Sequence, residues 1–448
     1  MLGKSPLQNQ KNLFQPLLCE FINMNDELVL LANQIKWSQM EQEFAPLYSK
    51  TGTPSKPIRL MAGLLILKQM YNLGDETIIK VYKTNPYMQY FCGEAHFRWD
   101  NPCDPSDLVH FRKRIGEKGV EFIFKQSVLL FGKQAQEEEI CVDTTVQEKN
   151  ISYPTDTKLH VKIIKRCNKI AQKENIKQRQ SYSRKVKQYL LESRFGHHPK
   201  RKKQAQRAQR KIKTIAKRLV NELERKLPEE RIMIYRKEIE IFKKVIYQKR
   251  NDKNKTYSLH EPDVSCIAKG KLHKPYEFGS KVSIASTKSS GIIVAVKSFT
   301  GNPHDSKTIE STLEQHKEIT GIRAQTAIVD RGYVKQTING TQILKPDNGK
   351  GRTAYEKRKN RKRFRCRAAI EATISHLKNQ YRMGRNYLKG IIGDQINALM
   401  AAAAWNFMKW MREMAPSFLF FFFQLLFQVK KFFQIHLENP KNNLKWSC

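Results

Sequence analysis

The chain is short of acidic residues for its size. It has 42 Asp and Glu against 82 Lys and Arg in 448 residues, a formal net charge of +40. A surplus this large repels itself unless a polyanion neutralises it, which indicates nucleic acid or an anionic membrane as the partner. The hydrophobic fraction of 40% is that of a globular protein and argues against wholesale disorder. The length predicts two to four domains.

Closely spaced cysteines and long apolar runs are also missing. The eight cysteines never fall within five residues of each other, so no Cys-x-x-Cys pair supports a zinc knuckle or a redox motif. The N-terminus has no apolar core long enough for a signal peptide. The longest apolar run, residues 417–429, has 13 residues including two Gln and is too short to span about 30 Å of hydrocarbon. We therefore expect a soluble protein of a reducing, intracellular compartment.

Residues 1–132 have the pattern of an all-α domain. One apolar stripe repeats at helical spacing from Leu60 to Tyr71. The run from Asp104 to Asp107 offers a capping Asp, a Pro at the first helical position and an acid in the first turn, which predicts a helix start. A basic exposed face on short helices suits duplex DNA, and an all-α dimerisation or packing domain is the alternative. The cations expected to point partly outward are Arg112, Lys113 and Arg114.

A mixed α/β domain is predicted for residues 133–414. Residues 140–146 are rich in β-branched side chains and predict a strand that ends in polar groups. Three more strands are predicted at 281–285, 291–299 and 326–329, with a helix at about 306–319 between the last two. Strands that alternate with helices indicate this fold class.

A basic block separates the first of these strands from the others. Residues 161–257 contain 32 Lys and Arg against 9 Asp and Glu. Their helical apolar stripes predict a helical insertion at about 158–257 with two or more long antiparallel helices, and a solvated turn at 197–210. A run of like charges is often only a solvent-exposed face. So large an excess of Lys and Arg over Asp and Glu nevertheless favours contact with a DNA backbone. The candidate cations are Lys200, Arg201, Lys202 and Lys203.

Two aspartates stand at the ends of predicted strands. Asp143 ends the first strand, and Asp330 ends a later one before the turn signal of residues 331–333. Carboxylates from neighbouring strand ends, joined by a third acid, would supply the hard oxygen ligands that Mg²⁺ prefers. Two such ions can activate an attacking oxygen and stabilise the leaving one in phosphoryl displacement. Asp305 is a further acid, but its position predicts a helix N-cap.

The third acid lies on a predicted helix at 364–378. At 100° per residue, Arg367, Glu371 and Lys378 fall on one stripe about 60° wide, together with Phe364. A carboxylate between two cations is either an exposed salt-bridge ladder or an acid presented to a phosphate-bound metal ion. The helix alone favours the ladder, while Asp143 and Asp330 shift the balance toward the metal site.

These stretches resemble the Asp-Asp-Glu transposases of bacterial insertion sequences, in the group commonly called the IS-five family. Residues 142–159 look like the first catalytic region of that group and residues 328–333 are similar to the second. The third region has a signature of Tyr, two residues, Arg, three residues, Glu, six residues and Lys. It reads here as Phe364, Arg367, Glu371 and Lys378, with Phe in place of Tyr.

The resemblance implies a ribonuclease-H-like catalytic domain, interrupted by the insertion and preceded by a domain that recognises terminal inverted repeats. It implies Asp143, Asp330 and Glu371 as catalytic metal ligands, Mg²⁺ as cofactor with Mn²⁺ as substitute, and Arg367 and Lys378 as DNA contacts. The expected activity is cleavage at the element ends and transfer of the 3′-OH to target DNA. A homo-oligomeric synaptic complex at the bacterial nucleoid, in the cytoplasm and away from the membrane, is expected with it.

Two alternatives stay open at this point. A catalytically silent DNA-binding repressor or domesticated derivative would need no intact acids, and the three acids argue against it. A membrane-associated basic protein would use the Phe-rich tail, residues 415–448, which diverges from the resemblance and to which we assign no function.

Overall fold

The computed structural model describes residues 3, 14–249, 251–268, 274–333, 337–346 and 353–414. They fall into two compact units. The helical unit comprises residues 14–115, 122–132 and 403–414, and the sheet unit comprises 116–121 and the described part of 133–402. The Phe-rich tail expected at 415–448 lies outside the described residues.

Helices build the helical unit, as the sequence predicts. They are α1 (Leu18–Phe21), α2 (Glu27–Gln34), α3 (Trp37–Phe44), α4 (Ile58–Met70), α5 (Asp75–Tyr82), α6 (Pro86–Phe91) and α7 (Pro105–Leu129). With its 25 residues, α7 is longer than the short helices expected. The predicted start of α7 is confirmed, since Asp104 accepts from the Ser106 N–H and Asp107 accepts from the Asp104 N–H. Gly116, at φ 59°, interrupts α7 because only glycine enters the left-handed region without strain.

The sequence predicts one apolar stripe from Leu60 to Tyr71, but the buried surface of α4 is wider than this stripe. All residues of α4 except Arg59 are buried, including Lys68 and Gln69, so α4 is the central helix of its unit. A helix enclosed on all sides needs apolar residues around its whole circumference.

The expected outward position of Arg112 is wrong. Its side chain is buried and donates to both carboxylate oxygens of Asp75, at 2.9 and 2.6 Å. Asp75 also pairs with Lys68 at 2.7 Å. Burial alone would raise the pKa of Asp75, but the two cations lower it to about 2. A bidentate partner inside the unit holds Arg112, whereas Lys113 and Arg114 are exposed.

A mixed sheet forms the second unit. Its strands are β1 (Glu139–Glu148), β2 (Ser265–Ala268), β3 (Tyr276–Thr287), β4 (Ile293–Phe299), β5 (Thr326–Ile328), β6 (Thr337–Ile338) and β7 (Thr341–Leu344). The order is β2-β3-β1-β5-β7-β6, and β4 also pairs with β3. β3 runs antiparallel to β4 and to β1, while β5 and β7 run parallel to β1. The predicted strands are confirmed as β1, β3, β4 and β5.

Helices cover both faces of this sheet. Consecutive residues Ile140, Cys141 and Val142 of β1 are all buried, although successive side chains of a strand point to opposite faces. The helices after β4 are α12 (Asp305–Thr320), α13 (Ala354–Arg363), α14 (Cys366–Gln380) and α15 (Gly390–Met414), the last of which continues into the helical unit. α12 packs beside β4 and β3, and α14 packs beside β1.

The described residues between β1 and β2 form four helices. They are α8 (Asp156–Lys173), α9 (Ser183–Ser193), α10 (Lys202–Lys226) and α11 (Glu229–Tyr247), and they share an apolar core of their own. The solvated turn expected at 197–210 is wrong from Lys202 onward, where α10 begins. Ala205 and Ala208 are buried and extend the stripe of Ile212 by two turns, because small side chains suffice where helices approach closely.

A bilayer span is not found among the described helices, each of which is too short or too polar for one.

Candidate active site

Sheet register places two of the predicted acids side by side. Strands β1 and β5 run parallel, and their last pair joins Cys141 to Ile328. Asp143 and Asp330 each stand two residues beyond that pair, so they occupy equivalent positions on neighbouring strand paths. Equivalent positions point to the same face of the sheet. The prediction that Asp143 ends its strand is wrong, because β1 continues to Glu148, whereas Asp330 does follow the end of β5. The matching positions of Asp143 and Asp330 explain why their carboxylates lie near each other.

The third acid comes from α14. This helix packs beside β1 and is joined to it by a disulfide between Cys141 and Cys366. Arg367, one residue further, places Nη2 at 2.9 Å from Oδ1 of Asp330 and at 3.7 Å from Oε1 of Glu371. One guanidinium therefore bridges the acid of β5 and the acid of α14.

The pKa of Asp143 shows that all three acids share one electrostatic environment. Burial raises the pKa of Asp143 to about 6, and the charges of Glu371 and Asp330 act in the same direction. The Thr144 N–H, which donates to Asp143 Oδ1 at 2.7 Å, and the charge of Arg367 oppose this rise. Asp330 and Glu371, far from Asp143 in sequence, are thus close enough for their charges to raise the pKa of Asp143.

The salt-bridge ladder accounts for little of this geometry. Its Arg367–Glu371 contact is the longer of the two that Arg367 makes, and Lys378 reaches Glu277 of β3 at 4.0 Å. The predicted helix at 364–378 also begins later than expected, at Cys366, which leaves Phe364 in the turn before α14. Arg367 bonds across elements, not only along its own helix.

Two family descriptions match the chain. Residues 17–114 match "Transposase domain (DUF772)", and residues 250–407 match "Transposase DDE domain", a stretch that contains Asp330 and Glu371. A protein of Rhizobium meliloti described as "Uncharacterized protein ORF8 in nfe locus" is 38% identical over 199 residues, which cover 43% of this chain and 96% of that relative. The chain belongs to the DDE transposases. No solved structure matches it significantly.

A second group of polar residues supports Asp143 of the transposase. The Thr144 hydroxyl donates to Oδ1 of Asp305 at 2.8 Å, and Lys281 Nζ lies 2.6 Å from the same oxygen. Lys281 also donates to the Pro303 carbonyl at 2.7 Å. Burial would raise the pKa of Asp305, but Lys281 and Thr144 hold it below its usual value.

Asp305 is therefore not the helix cap that its sequence position predicts. His304 is the N-cap of α12 and accepts from the Ser306 N–H through Nδ1, while Asp305 begins the helix and turns to the sheet. Sequence reasoning missed Thr144, Lys281 and Tyr333. The signal in the sequence was Lys281, a lone cation in an apolar strand. Tyr333 is buried, and its burial and the charges of Asp305 and Asp143 raise its pKa.

The remaining predicted DNA contacts lie on other elements. Lys113 and Arg114 are exposed on α7, and the Arg114 guanidinium stands 4.3 Å from the centre of the Tyr48 ring. The four cations of the insertion are exposed at and just before the start of α10. They are Lys200, Arg201, Lys202 and Lys203.

The acids of the transposase are the right type of donor for a hard divalent cation. Carboxylate oxygens are what Mg²⁺ prefers, and the raised pKa of Asp143 is relieved by any nearby positive charge. Arg367 supplies that charge in the described geometry. Within the described ranges, no group of three or more His, Cys, Asp or Glu side chains is already arranged around one ion position. A metal ion held by Asp330 would take the place of the Arg367 guanidinium beside that carboxylate.

Proposed function

We propose that this transposase cuts DNA at the ends of its own insertion sequence and joins the freed 3′-OH to target DNA. The observation that carries the proposal is the meeting of Asp143, Asp330 and Glu371 from β1, the end of β5 and α14, where each acid affects the protonation of Asp143. The spacing of Arg367, Glu371 and Lys378 supports its assignment to the IS-five-like group.

The sheet supports a ribonuclease-H-like catalytic domain over residues 133–414. Three antiparallel strands, β4, β3 and β1, are followed by β5 and β7 parallel to β1, with acids at the centre of the order. The basic insertion at about 158–257 enters this domain after β1. Residues 1–132 would then form the domain that recognises the terminal inverted repeats.

Asp143, Asp330 and Glu371 would hold Mg²⁺, or Mn²⁺ in its place. Bound there, the cation would polarise a DNA phosphate and favour ionisation of the attacking oxygen. Asp143 must lose its proton to bind, and Thr144 stabilises the ionised form through its N–H. Arg367, once released from Asp330, would face the phosphate together with Lys378.

DNA is the polyanion that fits a net charge of +40. The exposed cations at the start of α10 would contact phosphates without reading sequence, as would Lys113 and Arg114. Arg112 is not among the proposed DNA contacts, because its guanidinium is already paired with the Asp75 carboxylate. A homo-oligomeric synaptic complex on DNA in the bacterial cytoplasm completes the proposal, since two element ends must be brought together.

The three acids provide the test. Asp143→Asn, Asp330→Asn and Glu371→Gln should each abolish end cleavage under Mg²⁺ while binding to terminal-repeat DNA is kept, because a neutral amide cannot supply the negative charge that a metal ligand needs. Any two changes together should cost little more than one, since the acids act as a unit.

Glu318→Gln is the matched control, because Glu318 is an exposed acid of α12 outside the site. It should cut DNA at the wild-type rate. Near-normal cutting by any one of the three site variants would remove that residue from the catalytic set, and repression without cutting by the wild type would favour the silent DNA-binding alternative.

A further inference from the structure

The loop between α6 and α7 presents a tryptophan to solvent. Trp99 is 72% exposed, although indole is among the side chains with the most apolar surface to bury. Its ring meets Phe97 edge to face, with 4.6 Å between the centroids. Phe97 in turn packs on the buried cluster of Leu18, Ile22 and Val29. An anchored ring therefore supports Trp99 on one side while most of the indole stays open.

A buried amide fixes the backbone that carries this tryptophan. Gln89 is fully buried, its Oε1 accepts from the Arg98 N–H at 2.8 Å, and its Nε2 donates to the Arg98 carbonyl at 2.7 Å. Both backbone polar groups of Arg98 are thus satisfied by one side chain, which holds Phe97 and Trp99 in a single arrangement. A rigid but exposed ring loses little conformational entropy when it stacks on a ligand.

Trp99 borders a cleft of about 530 Å³ with charged walls. Arg98, whose side chain is 59% exposed and lies 3.8 Å from the Glu94 carboxylate, lines this cleft together with Glu94, His96 and Asp100. A neighbouring cleft shares Arg98 and adds Lys56, which is exposed. The flat face of Trp99 therefore lies near two cations, Arg98 of the same loop and Lys56 of the segment before α4.

We propose that this cleft binds an unpaired nucleobase of a DNA strand, stacked on Trp99, with the adjoining phosphates at Arg98 and Lys56. The inference rests on the proposed function, which makes DNA the polyanion that this basic chain meets. Every base has an aromatic face, so stacking requires no particular sequence. The Asp100 carboxylate, which lines both clefts, would accept from the amino groups of a base. A base inside a duplex has both faces covered by its neighbours, so only an unpaired base can stack here.

Two sources can supply such a base, a single strand or a base extruded from a duplex, and 2-aminopurine separates them. The probe is placed in a single strand, as a bulged base in a duplex, and in a fully paired duplex, all in EDTA so that no DNA is cut. The wild-type chain should quench the fluorescence of the unpaired probes and leave that of the paired one. Quenching of only one unpaired probe supports the site and identifies the source.

Variants assign the effect to the indole. Trp99→Ala should lose the quenching and bind the unpaired probes about 10-fold more weakly, the value expected for one base stacked on one aromatic ring. Its affinity for the paired duplex should change less than about 2-fold, because phosphate contacts carry that binding. Trp99→Phe keeps an aromatic face and should restore most of the affinity. Phe21→Ala is the matched control, since Phe21 is 51% exposed in the same unit and should have no effect.

Unchanged quenching by Trp99→Ala, or equal quenching of the paired duplex by the wild type, would overturn the inference. Duplex binding by the wild type without any Trp99-dependent quenching would remove this site and leave the proposed function standing. A wild-type chain that bound none of the three DNAs would contradict both. Because the substituted ring is exposed, the folded chain is retained in every arm, and circular dichroism verifies this.

Discussion

Arg367 acts in the described structure as the counter-ion of the site. Its guanidinium contacts Asp330 and Glu371, which are the acids that a metal ion would occupy. Under the proposed function, a metal ion would compete with this guanidinium for the same oxygens, and the arginine would meet DNA after the metal had displaced it. This exchange would couple metal binding to DNA engagement through one side chain.

Arg367→Ala should separate these two steps. Mn²⁺ affinity, measured by electron paramagnetic resonance, should be kept or increased because a competitor is removed. Strand transfer should fall by about 10-fold or more, since a hydrogen bond to a charged group contributes about 1.5 to 3 kcal/mol. Arg367→Lys keeps the charge but loses the planar pair of donors. Its strand transfer should therefore lie between that of the wild type and that of Arg367→Ala. Wild-type strand transfer by the alanine variant would mean that Arg367 is only one step of a salt-bridge ladder.

His316 is a buried base within α12 with no hydrogen-bond partner for either ring nitrogen among the described residues. Burial lowers its pKa from 6.5 to about 4. The unfolded chain therefore binds a proton more readily than the folded one between these values. The stability that His316 contributes is complete above about pH 6.5 and is lost as the pH falls toward 4, by about 3 kcal/mol.

His316→Leu should make the free energy of unfolding depend less on pH between about 6.5 and 4. The free energy of unfolding, measured in urea at pH 7, 5.5 and 4.5, should fall less steeply for the variant than for the wild type. Thr320→Val, which changes a buried polar residue of the same helix without removing a titrating group, is the control and should keep the wild-type slope. Parallel profiles for His316→Leu and the wild type would show that His316 is already charged in the folded chain.

Single residues were predictable where local pattern decides their position. Asp143 and Asp330 were found because each directly follows an apolar segment of a predicted strand, although Asp143 lies within β1 and not at its end, and Asp104 because capping is a local rule. Arg112 was misplaced because its partner, Asp75, lies on another helix. Thr144 and Lys281 escaped for the same reason, since their role depends on Asp305 at the start of a distant helix.

At the scale of elements, the start of α10 carries a dense group of exposed cations. Four consecutive residues, 200–203, lie at and just before its first turn, and Glu222 is the first acid of the helix. Cations at the N-terminal end of a helix gain nothing from the helix dipole, because the dipole favours acids at that end. Their placement is therefore explained better by an external anion than by the stability of α10.

Replacing Lys200, Arg201, Lys202 and Lys203 by Gln should weaken binding to all duplexes alike. The slope of log affinity against log salt should decrease by about 0.9 for every phosphate that the variant no longer neutralises, about 3 to 4 in total. Gln is nearly as good a helix former as Lys, so α10 should remain folded, as circular dichroism can verify. Weaker binding restricted to one DNA sequence, or an unchanged slope, would show that the insertion serves another purpose.

Elements with a regular apolar period were predicted, and connections between elements were not. The short runs rich in β-branched residues became β1, β3, β4 and β5, because such side chains favour a strand. The start of α10 was missed because alanine was not counted as a core residue. The pairing of Cys141 with Cys366 was not predicted and departs from the expectation of free thiols, since spacing along the chain cannot reveal a bond between β1 and α14.

For the whole molecule, composition identified the partner class but not the architecture. A net charge of +40 indicates a polyanion, whereas the strand order depends on long-range pairing that no local window contains. The division into a helical unit and a sheet unit departs from the predicted boundary after residue 132, since residues 116–121 belong to the sheet unit and residues 403–414 to the helical unit. What the sequence lacked was the register that sets Asp143 beside Asp330.

The same register has a consequence for the insertion. Glu148, the last residue of β1, and Ser265, the first of β2, both pair with Gly279 of β3, from its two sides. Two strand spacings separate them, about 10 Å. The chain therefore leaves the sheet and re-enters it at two nearby points, which form a narrow neck. The four helices between these points have their own apolar core. An appendage attached in this way can be shortened, exchanged or deleted over evolutionary time while the strands on either side of the neck keep their hydrogen bonds.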